Sequence, residues 1–108
     1  MRRFAALKRR SDFARMRRHG RRSSTKNLVI YRSDSPAGDP RALVGITVSK
    51  SIGKAVTRNK LRRRLAAILH EALANGDAVR LLVVPRPGAA AAGFADLRSE
   101  LASALAGA

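Results

Sequence analysis

A short apolar segment in the C-terminal half constrains the fold more than any other stretch of this chain. Residues 79–84, VRLLVV, are apolar apart from Arg80, and Pro85 and Pro87 follow them. Such composition is typical of a strand inside a sheet, where both faces are covered. The prolines end the segment because proline donates no ladder hydrogen bond. We therefore predict an interior β-strand at 79–84.

The segment before this strand predicts a long amphipathic helix, from about Val56 to Ala74. Asn75–Gly76 is a good stop signal for it. Its apolar side chains recur at the 3.6-residue spacing of one helix face. They are Leu61, Leu65, Ile68, Leu69, Ala72 and Leu73.

Two strand candidates lie nearer the N-terminus. One is 28–31, rich in branched and aromatic residues, and the other is 41–49, in which apolar and small or polar residues alternate. The polar segment 33–40 between them contains two prolines and a glycine and is predicted to be a loop. Two strands joined by this loop would form an antiparallel pair.

Two further helices complete the prediction. Ser11 and Asp12 are candidate N-caps of a short helix that Gly20 would end. A flexible approach at 89–93 precedes a final amphipathic helix from about Phe94 to Leu105.

This order of elements predicts an α+β fold: one small sheet with helices on one face. The chain has 108 residues, which indicates a single domain spanning residues 1–108. Residues 1–10 could form a flexible basic tail. A crossover between parallel neighbouring strands would be right-handed by the general rule.

The net charge of the chain indicates the kind of partner that it binds. Lys and Arg number 23 against 7 Asp and Glu, a formal net charge of +16. Nucleic acid is the commonest polyanion that neutralises such a charge. The chain has no cysteine, which excludes disulfides and thiol catalysis and is compatible with the cytoplasm. No apolar run approaches the ~20 residues of a membrane span, and no secretory signal follows the basic N-terminus.

The charge is concentrated in two blocks, residues 1–26 and residues 50–64. Within the second block, Arg58–Arg64 carries five positive charges and no acid at the start of the predicted long helix. Cations at a helix N-terminus oppose the macrodipole and cost about 0.3–1 kcal/mol each when exposed. A phosphate near that end would reverse the sign. We therefore predict that the front of this helix faces a nucleic-acid backbone.

The sequence predicts no self-sufficient enzyme. The acids are few and scattered, so no carboxylate cluster for catalytic metals is expected. The glycines near residue 50 do not match a nucleotide-binding P-loop. Neither histidine, His19 or His70, has a Cys or His neighbour in the sequence, so no histidine-based metal site is expected.

Nearly the whole chain resembles the bacterial ribonuclease P protein family. VGITVSKSIGKAVTRNKLRRRLAAIL is similar to the family's signature, a strand of the form hGhxVSKKhG followed by KAVxRNRhKRRhR. LKRRSDFARMRRHGRR resembles the family's N-terminal pattern, and NLVIYR its first long strand. AVRLLVVPRPGAA and the following helix resemble its last strand and helix.

The resemblance implies a four-stranded sheet with helices on one face, in the order α-β-β-β-α-β-α, with a left-handed βαβ crossover. It implies a non-catalytic protein cofactor of an endoribonuclease, acting in the cytoplasm. Its partners would be the catalytic RNA subunit of ribonuclease P and precursor tRNA, whose 5′ leader is removed. Magnesium would be bound mainly by the RNA subunit and substrate.

The family motif also implies two sets of site residues. The contacts to the catalytic RNA would be Arg58, Asn59, Lys60, Arg62 and Arg63, of which Lys60 stands where the family has arginine.

The second set would bind the leader: Phe13, Arg17, Tyr31, Lys50 and Lys54. Arg17 replaces a second aromatic residue that many members carry.

Three other functions fit parts of the pattern. A small ribosomal protein, or another binder of structured RNA, would share the charge and the α+β order. A DNA-associated architectural protein would share the charge, but no zinc-ligand spacing, heptad repeat or clear helix-turn-helix is present. A membrane-active cationic chain would need large aromatic residues that the basic helix lacks. We expect neither DNA nor a membrane as a partner.

Overall fold

The computed structural model describes residues 4–7, 9–34, 42–73 and 79–106. These residues form five strands and three helices, with short 3-10 turns at Lys50–Ile52 and Pro87–Ala91. In chain order they are β1 (Phe4–Ala6), α1 (Arg10–His19), β2 (Arg21–Ser24), β3 (Leu28–Asp34), β4 (Ala42–Ile46), α2 (Ala55–Ala72), β5 (Val79–Pro85) and α3 (Phe94–Ala106).

The predicted interior strand, β5, is the central strand of a mixed sheet. The strand order is β1-β4-β5-β3-β2. β5 pairs parallel with β4 and antiparallel with β3, and three of its residues, Leu81, Leu82 and Val83, are fully buried. The prediction that β3 and β4 form an antiparallel pair is therefore wrong. β5 lies between them, and its side chains are buried on both faces, as expected of a central strand.

The α+β class is confirmed, with helices distributed differently from the prediction. α2 and α3 cover one face of the sheet, as expected, and form the larger core. α1 covers the opposite face, where Met16 packs with Leu7 and Leu82 in a second, smaller core. Alternate residues of β5 enter opposite cores: Leu81 and Val83 the larger, Leu82 the smaller. A strand apolar on both faces needs cover on both, so one layer of helices would not suffice.

The N-terminal segment adds a fifth strand to the four expected. Phe4–Ala6 pairs parallel with β4, and the backbone N–H of Leu7 continues the ladder to the Val44 carbonyl at 3.0 Å. The expectation of a flexible tail is therefore wrong for residues 4–7, and Arg10 already belongs to α1. Residues 1–3 and 8 lie outside the described residues.

The C-terminal end of α1 follows the prediction, but its start does not: the N-cap is Arg9, and Ser11 and Asp12 lie inside the helix. Gly20 ends α1 and donates its N–H to the Met16 carbonyl at 2.9 Å. A Cβ on Gly20 would lie 2.5 Å from that carbonyl oxygen, so the site requires glycine. Residues 33–34 continue β3, whereas the rest of the predicted loop, 35–40, and the stop signal Asn75–Gly76 lie outside the described residues.

The segment that was expected to be a flexible approach to α3 is ordered differently. Pro87–Ala91 forms a 3-10 turn, and its Ala89 is fully buried in the larger core. The small side chain of alanine lets the turn lie against the core, so the run of alanines is a packing feature rather than a linker.

The segment β4–α2–β5 forms a βαβ unit, because β4 and β5 are parallel neighbours with α2 between them. This is the unit that the family resemblance places around the basic helix. The left-handed sense of its crossover stays a prediction.

A carboxylate ties α3 to the β2–β3 connection. Glu100 accepts hydrogen bonds from the Thr25 hydroxyl at 2.5 Å, the Asn27 backbone N–H at 2.7 Å and the Asn27 side-chain amide at 2.7 Å. Burial alone would raise the pKa of Glu100, but these hydrogen bonds and nearby Lys26 outweigh it and lower the net pKa below the ordinary carboxyl value.

Replacing Glu100 by glutamine should make the free energy of unfolding less dependent on pH in the acidic range. We expect Glu100→Gln to lower the free energy of unfolding at pH 7 by about 1–3 kcal/mol, because charge-assisted hydrogen bonds are lost. The folded-state pKa lies below the unfolded value, so the stabilisation is present above about pH 4.5 and is lost as the pH falls through the folded-state pKa. Urea unfolding between pH 3 and 7 measures this difference.

Glu71→Gln is the matched control. Glu71 pairs with Arg98 on the exposed surface, where an ion pair contributes about 0–1 kcal/mol. Equal pH dependence of unfolding for wild-type protein and Glu100→Gln would contradict the assignment.

Candidate nucleic-acid interface

The basic segment lies on the exposed face of α2, as the helical spacing predicts. Its apolar stripe is buried in the larger core through Leu61, Leu65, Ile68 and Leu69, although Ala72 is exposed. Four of the five residues that were predicted to contact the catalytic RNA are exposed on the solvent side: Asn59, Lys60, Arg62 and Arg63. α2 therefore has an apolar back and a cationic front, which we call the basic face.

Arg58 departs from the prediction that it belongs to the free front of the helix. Its side chain is half-buried, and its Nε has no hydrogen-bond partner in the part of the chain that the structure describes. Arg58 precedes Leu61 by three residues, so its stem lies along the border of the core. Arg58 thus combines a packing role with the charge of the motif.

Among the described residues, no carboxylate forms an ion pair with the basic face. The first turn of α2 contains no acid, and Lys54 caps it without a side-chain hydrogen bond. Asn59 accepts a hydrogen bond from the Arg62 Nη1 at 2.8 Å and so fixes the direction of that guanidinium. Among the described residues, Glu71 pairs with Arg98 of α3 and not with this face.

A groove beside the basic face adds residues that sequence reasoning did not assign to the site. It has a volume of about 320 Å³, and its lining is Val56, Thr57, Lys60, Leu61, Arg64 and Ala90. Val56 is 78% exposed, unusual for a branched apolar side chain at the start of a helix. The helical spacing accounts for this exposure, because Val56 precedes Leu61 by five residues and therefore faces away from the apolar stripe.

The second predicted set of residues is partly united by the structure. Phe13 of α1 and Tyr31 of β3 are half-buried and pack against the same small core. Phe13 lies directly over Gly45 of β4: a Cβ there would be 2.7 Å from the Phe13 Cε1. Because Gly45 has no side chain, the ring can approach the backbone of β4 closely. We call the surface formed by Phe13 and Tyr31 the aromatic face.

The three cationic members of this set are exposed and lie outside the small core. Arg17 is exposed one helical turn after Phe13 on α1. Lys50 begins the 3-10 turn after β4, and Lys54 is the N-cap of α2, both exposed. The chain thus passes from the strand beneath Phe13, through these two lysines, to the basic face.

The described residues offer no alternative site of familiar type. They contain no group of three or more His, Cys, Asp or Glu side chains that could hold a metal ion. None of their helices is long and apolar enough to span a membrane.

Comparison with known proteins agrees with the geometry. The Ribonuclease P family matches residues 1–108. The ribonuclease P protein component of Thermobifida fusca is 39% identical over 106 residues, covering 92% of this chain and 72% of that protein. Its counterpart from Acidothermus cellulolyticus is 42% identical over 95 residues, covering 87% of this chain and 79% of that protein.

Solved structures show the same fold. The RNase P protein of Staphylococcus aureus superposes with a TM-score of 0.80 at 25% identity, covering 94% of this chain and 92% of that chain. The RNase P protein of Thermotoga maritima gives 0.78 at 25% identity, covering 93% and 94%. This chain therefore belongs to the family of bacterial ribonuclease P protein components.

Proposed function

We propose that the protein is the non-catalytic subunit of a cytoplasmic ribonuclease P, which binds the catalytic RNA through the basic face and the 5′ leader of precursor tRNA through the aromatic face. The observation that carries this proposal is the uncompensated charge at the start of α2. Exposed Lys60, Arg62 and Arg63 have no carboxylate partner among the described residues.

The basic face is suited to a phosphate backbone rather than to base edges. Arginine forks bind phosphate oxygens in pairs, and the N-terminal turn of a helix attracts anions. Asn59 holds Arg62 in one direction, so less freedom is lost when a phosphate binds. A structured RNA, with phosphates at fixed positions, is the partner that such a rigid row of cations favours.

The aromatic face is suited to unpaired bases. Aromatic side chains stack on bases with ~1–3 kcal/mol each and tolerate different sequences. Phe13 and Tyr31 are held by a shared core and keep part of their surface exposed. A single strand such as a tRNA leader can present its bases to this face, with its phosphates near Lys50 and Lys54.

The chemistry of hydrolysis would be supplied by the RNA subunit. Magnesium, held mainly by that RNA and the substrate, would activate water and stabilise the leaving oxygen. The guanidinium and ammonium groups of the protein attract phosphates and repel a divalent cation, and its aromatic groups stack on bases. The protein would therefore hold the two RNAs together and lower the free-energy cost of bringing their phosphates close.

Cleavage of precursor tRNA tests the function directly. We expect no cleavage by the protein alone and, at low magnesium, faster cleavage by a bacterial ribonuclease P RNA when the protein is added. Cleavage by the purified protein without RNA, altered in step with point variants of this chain, would contradict the proposal.

Removing two charges from the basic face should weaken binding to the catalytic RNA. We expect a slope of log K against log salt of roughly −4 to −7 for the wild type, from about five to eight phosphate contacts. The double variant Arg62→Ala, Arg63→Ala should reduce the steepness of that slope by about 1–2. Filter binding with and without substrate measures both values. Arg58 is left intact because it is half-buried.

The matched control is Arg86→Ala with Arg98→Ala, which removes two exposed charges outside the basic face, Arg98 being paired with Glu71 near the C-terminal end of α2. Non-specific attraction by net charge would make the two double variants equal. Equal slopes would therefore contradict a specific role for the basic face.

Truncating Phe13 should weaken binding of the tRNA leader and leave binding of the catalytic RNA unchanged. We expect Phe13→Ala to leave RNA-subunit binding nearly intact and to reduce the preference for leader-bearing over leaderless tRNA by about 5- to 100-fold, the loss of one stacked base. Competition binding to the assembled complex gives this ratio.

Phe94→Ala is the matched control, because Phe94 is an exposed aromatic at the start of α3. Thermal melts of both variants separate lost packing from lost stacking. An unchanged leader preference in folded Phe13→Ala would remove Phe13 from the leader site.

A further inference from the structure

A groove lies between the outer strands of the sheet and the C-terminal end of α3. It has a volume of about 370 Å³, within the range of about 300–1,000 Å³ typical of small-ligand sites. β2 and β3 contribute Arg21, Arg22, Ser23, Ile30 and Arg32, and α3 contributes Ala104 and Leu105. Neither of the two faces described above includes these residues.

The strand register places this groove on the opposite side of the sheet from the aromatic face. Arg21 pairs with Arg32, and Ser23 pairs with Ile30, which belongs to the larger core beneath α2 and α3. Side chains alternate along a strand, so Tyr31, between Ile30 and Arg32, points to the α1 side, where it packs in the smaller core.

Arg32 is held in the groove by the end of α3. Its Nη1 donates to the Leu105 carbonyl oxygen at 2.8 Å, which satisfies one of the carbonyls that a helix C-terminus leaves unpaired. Its buried Nε has no partner among the described residues. Capping therefore accounts for the position of the guanidinium but uses only part of its donor set.

The charges of the groove are not balanced. Arg21 is exposed, and no carboxylate forms an ion pair with it or with Arg32 in the described part of the chain. The register makes Arg21 and Arg32 direct neighbours, and like charges directly opposite each other destabilise a sheet. An anion between them would turn this repulsion into attraction.

The walls of the groove are apolar. Ile30 is buried, and Ala104 and Leu105 are half-buried at its side. A ligand that fits must therefore combine an anionic group with a flat, weakly polar body. A nucleotide of an RNA strand has both: a phosphate for paired guanidinium groups and a base whose face packs on aliphatic side chains.

We propose that this groove is a third RNA-binding surface, which takes one unpaired nucleotide with its phosphate between Arg21 and Arg32 and its base against Leu105. The inference rests on the proposed function, since it assumes an RNA partner, but it concerns residues outside both faces. RNA would then contact the sheet from both sides, and α3 would take part in binding as well as in packing.

A unique cysteine tests the location. The chain has no cysteine, so Ser23→Cys, at an exposed position in the groove, accepts a single azidophenacyl photocrosslinker. Ser99→Cys, exposed on α3 outside the groove, is the matched control. Asn59→Cys on the basic face reports assembly. The complex is irradiated with label on either the catalytic RNA or the precursor tRNA, which distinguishes the two sources of the nucleotide.

We expect Ser23→Cys to crosslink to one of the labelled RNAs at least about fivefold more than Ser99→Cys, at the level of a specific contact. Crosslinks from Asn59→Cys with none above the control from Ser23→Cys would overturn this inference and leave the proposed function standing. Absence of crosslinks from all three in mixtures that contain folded protein would overturn both.

Two further variants test the chemistry in the Ser23→Cys background. Arg21→Ala removes one guanidinium, and Ala104→Leu fills the groove without changing charge. We expect each to reduce the crosslink by about three- to tenfold, the effect of one phosphate or base contact, whereas Arg98→Ala should change it less than about twofold. A crosslink unaffected by both groove variants would show that RNA passes nearby without entering the groove.

Discussion

Strand β5 must be covered on both faces, and the rest of the architecture depends on that requirement. Leu81 and Val83 face one layer of helices and Leu82 faces the other, so the chain needs α1 on one side and α2 with α3 on the other. The same arrangement separates the surfaces. Phe13 is carried by α1, and the basic face is carried by α2, whose burial of Leu61 and Leu65 fixes which residues remain in solvent.

Electrostatics works against this fold in isolation. A net charge of +16 on 108 residues repels itself in the compact state, and Lys54 and Arg58 stand at the N-terminal turn of α2, where the helix dipole disfavours cations. The described core must offset that repulsion. An RNA partner would relieve it, so we expect binding and stability to be coupled. The charge distribution therefore suits a protein bound to RNA better than a protein that folds and acts alone.

The sequence was sufficient for the features that depend on periodicity. The structure agrees with the predicted phase of α2 and with the interior position of β5. It also agrees with the predicted C-terminal end of α1 at His19–Gly20. Features that depend on which strands become neighbours were missed. β3 and β4 seemed adjacent because a loop joins them, but β5 pairs with both. By contrast, the depth of Arg58 and the exposure of Val56 follow the phase of α2 and could have been read from it. Arg58 lies three residues before Leu61 and seven before Leu65, whereas Val56 faces away from that stripe.

The outer position of β2 has a consequence for the free protein. An edge strand presents unpaired backbone groups that can pair with another chain, and charged side chains are a common defence against this. β2 is short, wholly exposed and begins with Arg21 and Arg22. Before assembly, mutual repulsion between these arginines on two molecules would prevent strands from joining edge to edge. Neutralising them removes that defence, so crowded subunits stay soluble only if the neutralising partner also covers the edge.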